Sequence, residues 1–154
     1  MGIKSFQGAR KEQQNILESA SIRVSDYMTK DLITFRPEQL VEDVIDVLIK
    51  HKISGGPVVN ENNELVGIIS EGDCLKQISD SRYYNMPMER HIVENRMNKN
   101  VETIDGNMNV FDAVNKFLES RRRRFPIIED GKLIGLISQK DILKAAIQLK
   151  GQNW

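Results

Sequence analysis

One cysteine, four prolines, two histidines and one tryptophan in 154 residues rule out several architectures at once. A lone thiol, Cys74, closes no internal disulfide, which excludes a stapled secreted scaffold and fits a reducing cytoplasm. His51 and His91 stand apart, with no Cys/His or carboxylate cluster at metal-ligand spacing. No apolar run approaches the roughly 20 residues of a membrane helix. The opening MGIKSFQGARKEQQ has no apolar h-region, and Phe6 stands where N-myristoylation needs Ser or Thr. Neither a P-loop nor G-x-G-x-x-G occurs. Nothing in this inventory suggests an enzyme or a required cofactor. With 22 basic and 22 acidic residues, the chain has no overall charge to attract nucleic acid or an anionic membrane.

What the chain does have is one pattern written twice. Met28/Met97, Thr34/Thr103, Val41/Val110, Asp43/Asp112 and Pro57/Pro126 match at an offset of 69. After a one-residue shortening, Leu65/Leu133, Gly67/Gly135, Ser70/Ser138, Asp73/Asp141, Leu75/Leu143 and Lys76/Lys144 match at 68. Such a duplication implies two supersecondary units, each too small to bury its apolar face alone, packed together with a cleft between them. The copies differ electrically. Ser21 to Leu75 carries 5 basic and 10 acidic residues, and Asn95 to Trp154 carries 11 and 7. Two clefts built from such halves should not favour the same ligand.

Each copy reads β-α-β-β-α. Leu32 to Phe35 is a short β-rich run stopped by Pro37. Val41, Val44, Ile45, Leu48 and Ile49 recur at the spacing of one helix face, as do Val110, Ala113, Val114, Phe117 and Leu118. A strand opens at Pro57 or Pro126, a polar turn follows, and Leu65 to Ile69 or its counterpart returns as a hairpin. A second helix begins after Ser70 or Ser138. The expected organisation is an N-terminal extension (1–21) containing a short amphipathic helix over 9–20, repeat one (22–80), a linker (81–93), repeat two (94–148) and a tail (149–154). The linker's Tyr83 and Tyr84 could stack on a base or anchor the loop to the core; partial burial suits the latter.

These residues resemble a tandem pair of CBS domains, a Bateman module. The resemblance rests on Leu32-Ile33-Thr34 and Val101-Glu102-Thr103, on the strand-opening prolines, and on Gly-h-h-Ser-x-x-Asp at Gly67 to Asp73 and Gly135 to Asp141. It covers roughly 22 to 148; Glu102 departs from the usual apolar residue. It implies an α/β (α+β) fold of two β-α-β-β-α repeats with pseudo-twofold symmetry, and no catalysis.

Each Ser-x-x-Asp has two compatible roles. Ser as N-cap with Asp reaching back makes a partial capping box, since Glu or Gln is preferred at that place. The resemblance adds a ligand role, in which Thr34, Ser70 and Asp73, and likewise Thr103, Ser138 and Asp141, contact the ribose and adenine of an adenosine-containing ligand. Arg121 to Arg124 can be read as a solvated helix end, a nucleic-acid patch or, by the resemblance, as phosphate contacts through Arg123 and Arg124, helped by Lys140. Arginines donated across the pseudo-twofold would put a polyphosphorylated ligand in the Asp73 cleft and leave the Asp141 cleft, facing Ser54 and Gly55, empty or holding a less charged adenosyl compound. The expected ligand is ATP, ADP or AMP, with S-adenosylmethionine or a cyclic dinucleotide as alternatives. A homodimer signalling to an unknown protein effector is expected. The competing readings are a structural or interaction module with vestigial clefts, and nucleic-acid binding through Arg121 to Arg124.

Overall fold

The two repeats are laced together by exchanging their leading segments. The computed structural model describes residues 22–83 and 91–153. The expected amphipathic helix over 9–20 and Tyr84 to Pro87 of the linker lie outside the described residues. Within repeat one come α1 (Val41–His51), β1 (Gly55–Val59), β2 (Leu65–Ser70) and α2 (Glu71–Tyr83). Repeat two contains β3 (Ile104–Asp105), α3 (Val110–Ser120), β4 (Arg124–Glu129), β5 (Lys132–Ser138) and α4 (Gln139–Asn153). Residues 149–153, expected as a tail, continue α4.

The helix stripes do what their spacing predicts, with one refinement. Val41, Val44 and Leu48 of α1, and Val110, Ala113 and Phe117 of α3, are buried. The stripe's far edge is not: Ile49 is 72% exposed and Leu118 is 76%. Both helices stop on a left-handed residue, Lys52 (φ 54°) and Arg121 (φ 57°), at matching positions. Arg121 thus ends α3, as a solvated cap.

β1 and β2 form an antiparallel hairpin in which Gly55 faces Ser70 and Pro57 faces Ile68; in β4 and β5 Arg124 faces Ser138 and Pro126 faces Leu136. Both hairpins shift register one residue past the middle, Val58/Val59 and Ile127/Ile128. The opening strands are shorter than expected. Leu32 to Phe35 contributes one parallel bridge, Phe35 to Val58, whereas β3 pairs two residues with β4. Pro37 closes this stretch, and Phe35 itself is buried between the hairpin and α1, so packing holds it without a longer ladder.

The lacing follows from backbone pairing. Thr29 exchanges N–H···O bonds of 2.8 and 3.0 Å with Leu136 of repeat two, and Asn98 exchanges 2.8 and 3.0 Å bonds with Ile68 of repeat one. Val24 is accordingly buried in the core formed by Ile104, Phe117, Phe125 and Ile137, and Val93 in that of Phe35, Val58 and Ile69. Gly67 and Gly135 sit where these segments cross: a Cβ on Gly67 would lie 2.6 Å from Met97 Sδ and 3.1 Å from the Asn98 carbonyl oxygen. Their lack of a side chain permits the close approach. Met28 crosses Gly135 in the mirror-image way.

The leading segment of repeat two is held on repeat one by a polar latch. Gln77 of α2 is fully buried; its amide donates to Ser81 Oγ (2.8 Å), and its carbonyl accepts a short hydrogen bond from Arg96 Nε. Arg96 also pairs with Asp80 at 2.6 Å. Repeat two has Ala145 and Tyr27 at the matching positions, an apolar version of the same seam.

Candidate functional site

Both Ser-x-x-Asp motifs lie where a strand turns directly into a helix, β2 into α2 and β5 into α4. The serine stays in the ladder while the aspartate takes the first helical turn, so the carboxylate folds back over the strand end. Asp73 Oδ2 accepts from the Ser70 backbone N–H at 2.9 Å and from its hydroxyl at 3.0 Å, while the Asp73 N–H donates to Ser70 Oγ at 3.4 Å. Asp141 Oδ2 accepts from the Ser138 N–H at 2.9 Å, and the Asp141 N–H donates to Ser138 Oγ at 3.1 Å. These are reciprocal capping boxes. The partial match of Asp to the preferred Glu is made good because the strand end brings Ser within reach of a shorter side chain. Capping occupies one oxygen of each carboxylate; among the described residues Oδ1 of Asp73 and of Asp141 accepts no hydrogen bond. Both carboxylates are half-buried.

One cavity of about 200 Å³ opens on the Asp141 side, lined by Thr29, Arg124, Leu136, Ser138 and Asp141. It is smaller than the roughly 300–1,000 Å³ of a complete ligand site and has room for the sugar and phosphate end of a nucleotide. Thr29 escaped notice in the sequence because its repeat partner is Asn98, and because it reaches this cavity only through segment exchange. Thr103 is half-buried with its carbonyl accepting from Lys116 Nζ at 3.5 Å, Thr34 is exposed, and neither lines this cavity.

Arg124 borders two spaces, the cavity of Asp141 and a groove of repeat one that includes Ser54, Glu71 and Cys74. Arg124 and Ser138 face each other across neighbouring strands, which brings Arg124 to the wall of the Asp141 cavity. Gly55 faces Ser70 in the same way and supplies no charge. Ladder register sets these neighbours, and a repeat symmetry read from sequence says nothing of it. The rest of the arginine run disperses. Arg122 Nε pairs with Glu102 at 3.3 Å, beside Lys116 at 3.6 Å on the same carboxylate, which gives the irregular Glu102 its role. Arg123 is exposed while its carbonyl accepts from the Gln139 N–H at 3.2 Å, and Lys140 is exposed beside Asp141. The four side chains thus part ways: Arg122 is ion-paired, Arg124 lines the cavity, and Arg121 and Arg123 are exposed.

A larger groove of about 630 Å³ runs between α1 and α2, its walls including Ile49, Ser54, Glu71, Cys74, Leu75 and, from repeat two, Arg124. The Cys74 thiol is pushed up from its ordinary value, first by burial and then by the Asp73 and Glu71 carboxylates. It packs as a small buried residue of the repeat-one core. No group of three or more His, Cys, Asp or Glu among the described residues could hold a metal ion, and no described helix is long and apolar enough to cross a membrane.

Comparison with known proteins agrees with this geometry. The family model for the CBS domain matches residues 24–80 and 90–148. Among curated relatives, the chloroplastic CBS domain-containing protein CBSX1 of Arabidopsis thaliana is 29% identical over 82% of this chain and 65% of its own length. An uncharacterized protein of Methanopyrus kandleri, MK0525, is 32% identical over 80% of this chain and 62% of its own. The chain spans about half to two thirds of the length of the first such relatives. Among solved structures, CBSX2 in complex with AMP superposes with a TM-score of 0.72 at 30% identity, covering 84% of this chain and 99% of that one. The CBS domain pair of MJ0100, in complex with 5'-methylthioadenosine and S-adenosyl-L-methionine, gives 0.63 at 26% identity over 85% and 98%. The duplicated Gly-h-h-Ser-x-x-Asp frame, the two laced cores and these matches together make the chain a member of the CBS-domain family, built as a tandem pair.

Proposed function

We propose that the chain is a regulatory module that binds an adenosine-containing ligand between its repeats and passes the event to a protein partner by a change of shape. The observation that carries this reading is the cavity that Asp141 and Arg124 share, a carboxylate with an unused oxygen beside a cation without an ion-pair partner among the described residues. Asp141 Oδ1 would accept from a ribose diol, Ser138 and Thr29 would flank the sugar, and Arg124, with Arg123 and Lys140 nearby, would meet the phosphate. The AMP complex of CBSX2 and the adenosyl ligands of MJ0100 support the ligand class. The Asp73 cleft, with Ser70 and an uncharged Gly55, would take a less anionic adenosyl compound. We assign the phosphate preference to the Asp141 cavity rather than the Asp73 cleft because Arg124 lines that cavity beside the aspartate.

We also propose a homodimer, because Leu75 (65% exposed), Leu143 (65%) and Ile147 (71%) join Ile49 and Leu118 as solvent-facing apolar side chains on the helices of both repeats. The buried single thiol is compatible with a reducing cytoplasm, the compartment we propose.

Titration calorimetry with AMP, ATP and S-adenosylmethionine tests the proposal. Hydrogen bonds to a charged group contribute about 1.5–3 kcal/mol, so Asp141→Asn should weaken AMP binding roughly 10- to 100-fold, with Asp73→Asn the control for the other cleft. Unchanged AMP affinity in both variants would defeat the reading and leave an interaction module with vestigial clefts.

A further inference from the structure

The Asp141 cavity and the α1–α2 groove share one wall residue, Arg124. Its backbone is fixed: Phe125 beside it is fully buried, Arg124 pairs with Ser138 in the ladder, and the Arg123 carbonyl accepts from the first residue of α4. Its side chain is exposed and has no hydrogen bond or ion pair among the described residues. Arg124 therefore borders two places for an anion: the cavity, where a ligand phosphate would sit, and the groove, which Glu71 also lines.

We infer that Arg124 is a coupling residue: a phosphate in the Asp141 cavity draws its side chain away from the α1–α2 groove of repeat one, so that this helical face registers the anionic part of the ligand. The inference rests on the ligand reading above and adds to it the route by which occupancy leaves the site. The device is one-sided. At the matching position of repeat one, a Cβ on Gly55 would lie 2.6 Å from the Ile69 carbonyl oxygen and 3.0 Å from Ser70 Cα, so the backbone there leaves no room for a side chain. Signalling to the groove then belongs to phosphorylated ligands in one cavity, while the Asp73 cleft is electrically silent toward repeat two.

The chain supplies its own reporter. Cys74, its one cysteine, lines the groove with Glu71, Lys52 and Arg124, and its ionisation senses the local carboxylates. Removing a nearby cation at a protein surface makes a thiol a weaker acid, about two- to five-fold for a partly screened charge. The full chain, labelled with 13C at the cysteine Cβ, is titrated by NMR alone, with saturating AMP, and with saturating adenosine, which keeps the ribose and lacks the phosphate. AMP should lower the Cys74 ionisation constant two- to five-fold, and adenosine should leave it unchanged. In Arg124→Gln the ligand-free constant should already equal the AMP-bound wild-type value, with no further response to saturating AMP. Calorimetry on the same samples separates the two claims. If AMP binds and Cys74 does not respond, or responds equally to adenosine or in Arg124→Gln, the coupling is wrong and the ligand reading survives. If no adenosyl ligand binds the wild type, both fall.

Discussion

Arg96→Met should cost the protein about 2–3 kcal/mol, and adding Gln77→Leu to it should cost little more. Gln77 is fully buried, and its side-chain carbonyl has Arg96 as its partner. Removing the guanidinium leaves that carbonyl unsatisfied, at about 1–3 kcal/mol. The Arg96–Asp80 pair, with Asp80 41% exposed, adds less than about 1 kcal/mol. Gln77→Leu alone strands Ser81 Oγ, which loses its donor, and should cost about 1–2 kcal/mol. In the double variant both ends of the latch are apolar, as Tyr27 and Ala145 already are in repeat two, so its cost should fall short of the sum of the singles by about 1–2 kcal/mol. Urea unfolding of the four proteins measures this. Strict additivity, or a loss below about 0.5 kcal/mol for Arg96→Met, would refute the claim that this contact clamps the exchanged segment onto α2.

Gly67→Ala should lose about 1–3 kcal/mol by overpacking against Met97 and the Asn98 carbonyl, read from its denaturation midpoint; a neutral outcome would mean the crossing segments are loosely held. The raised Cys74 thiol sets a pH dependence. The unfolded chain loses the thiol proton first, so stability is flat below the ordinary thiol range and falls as pH rises through it, until the folded thiol ionises as well. Cys74→Ala should remove that alkaline slope from a series of melts; a slope of equal size in the variant would assign it elsewhere. Leu143→Glu with Ile147→Glu should shift the protein from dimer to monomer in light scattering while leaving the ligand-free melting temperature of the monomer within a few degrees. A wild type that is already monomeric at high concentration would dispose of the dimer.

Much of this molecule can be read from the order of its residues, and the reason is that the readable parts are local. Val41 to Leu48 and Val110 to Phe117 make helix faces because side chains three and four apart share a side. Ser70 with Asp73, and Ser138 with Asp141, cap their helices because three residues span one turn. The duplication doubled each of these signals. The rest depends on which distant pieces touch. Thr29 borders a cavity in repeat two and Val93 fills the core of repeat one only because the leading segments trade places, and no periodicity encodes that trade. Arg124 neighbours Asp141 through strand register. Ile49 and Leu118 belong to the helical stripe yet face solvent, because a stripe states which residues want burial and the packed neighbour decides how wide a stripe is covered. Local chemistry thus specified the repeats and their caps; the pocket, its cation and the latch on α2 arose from long-range pairing.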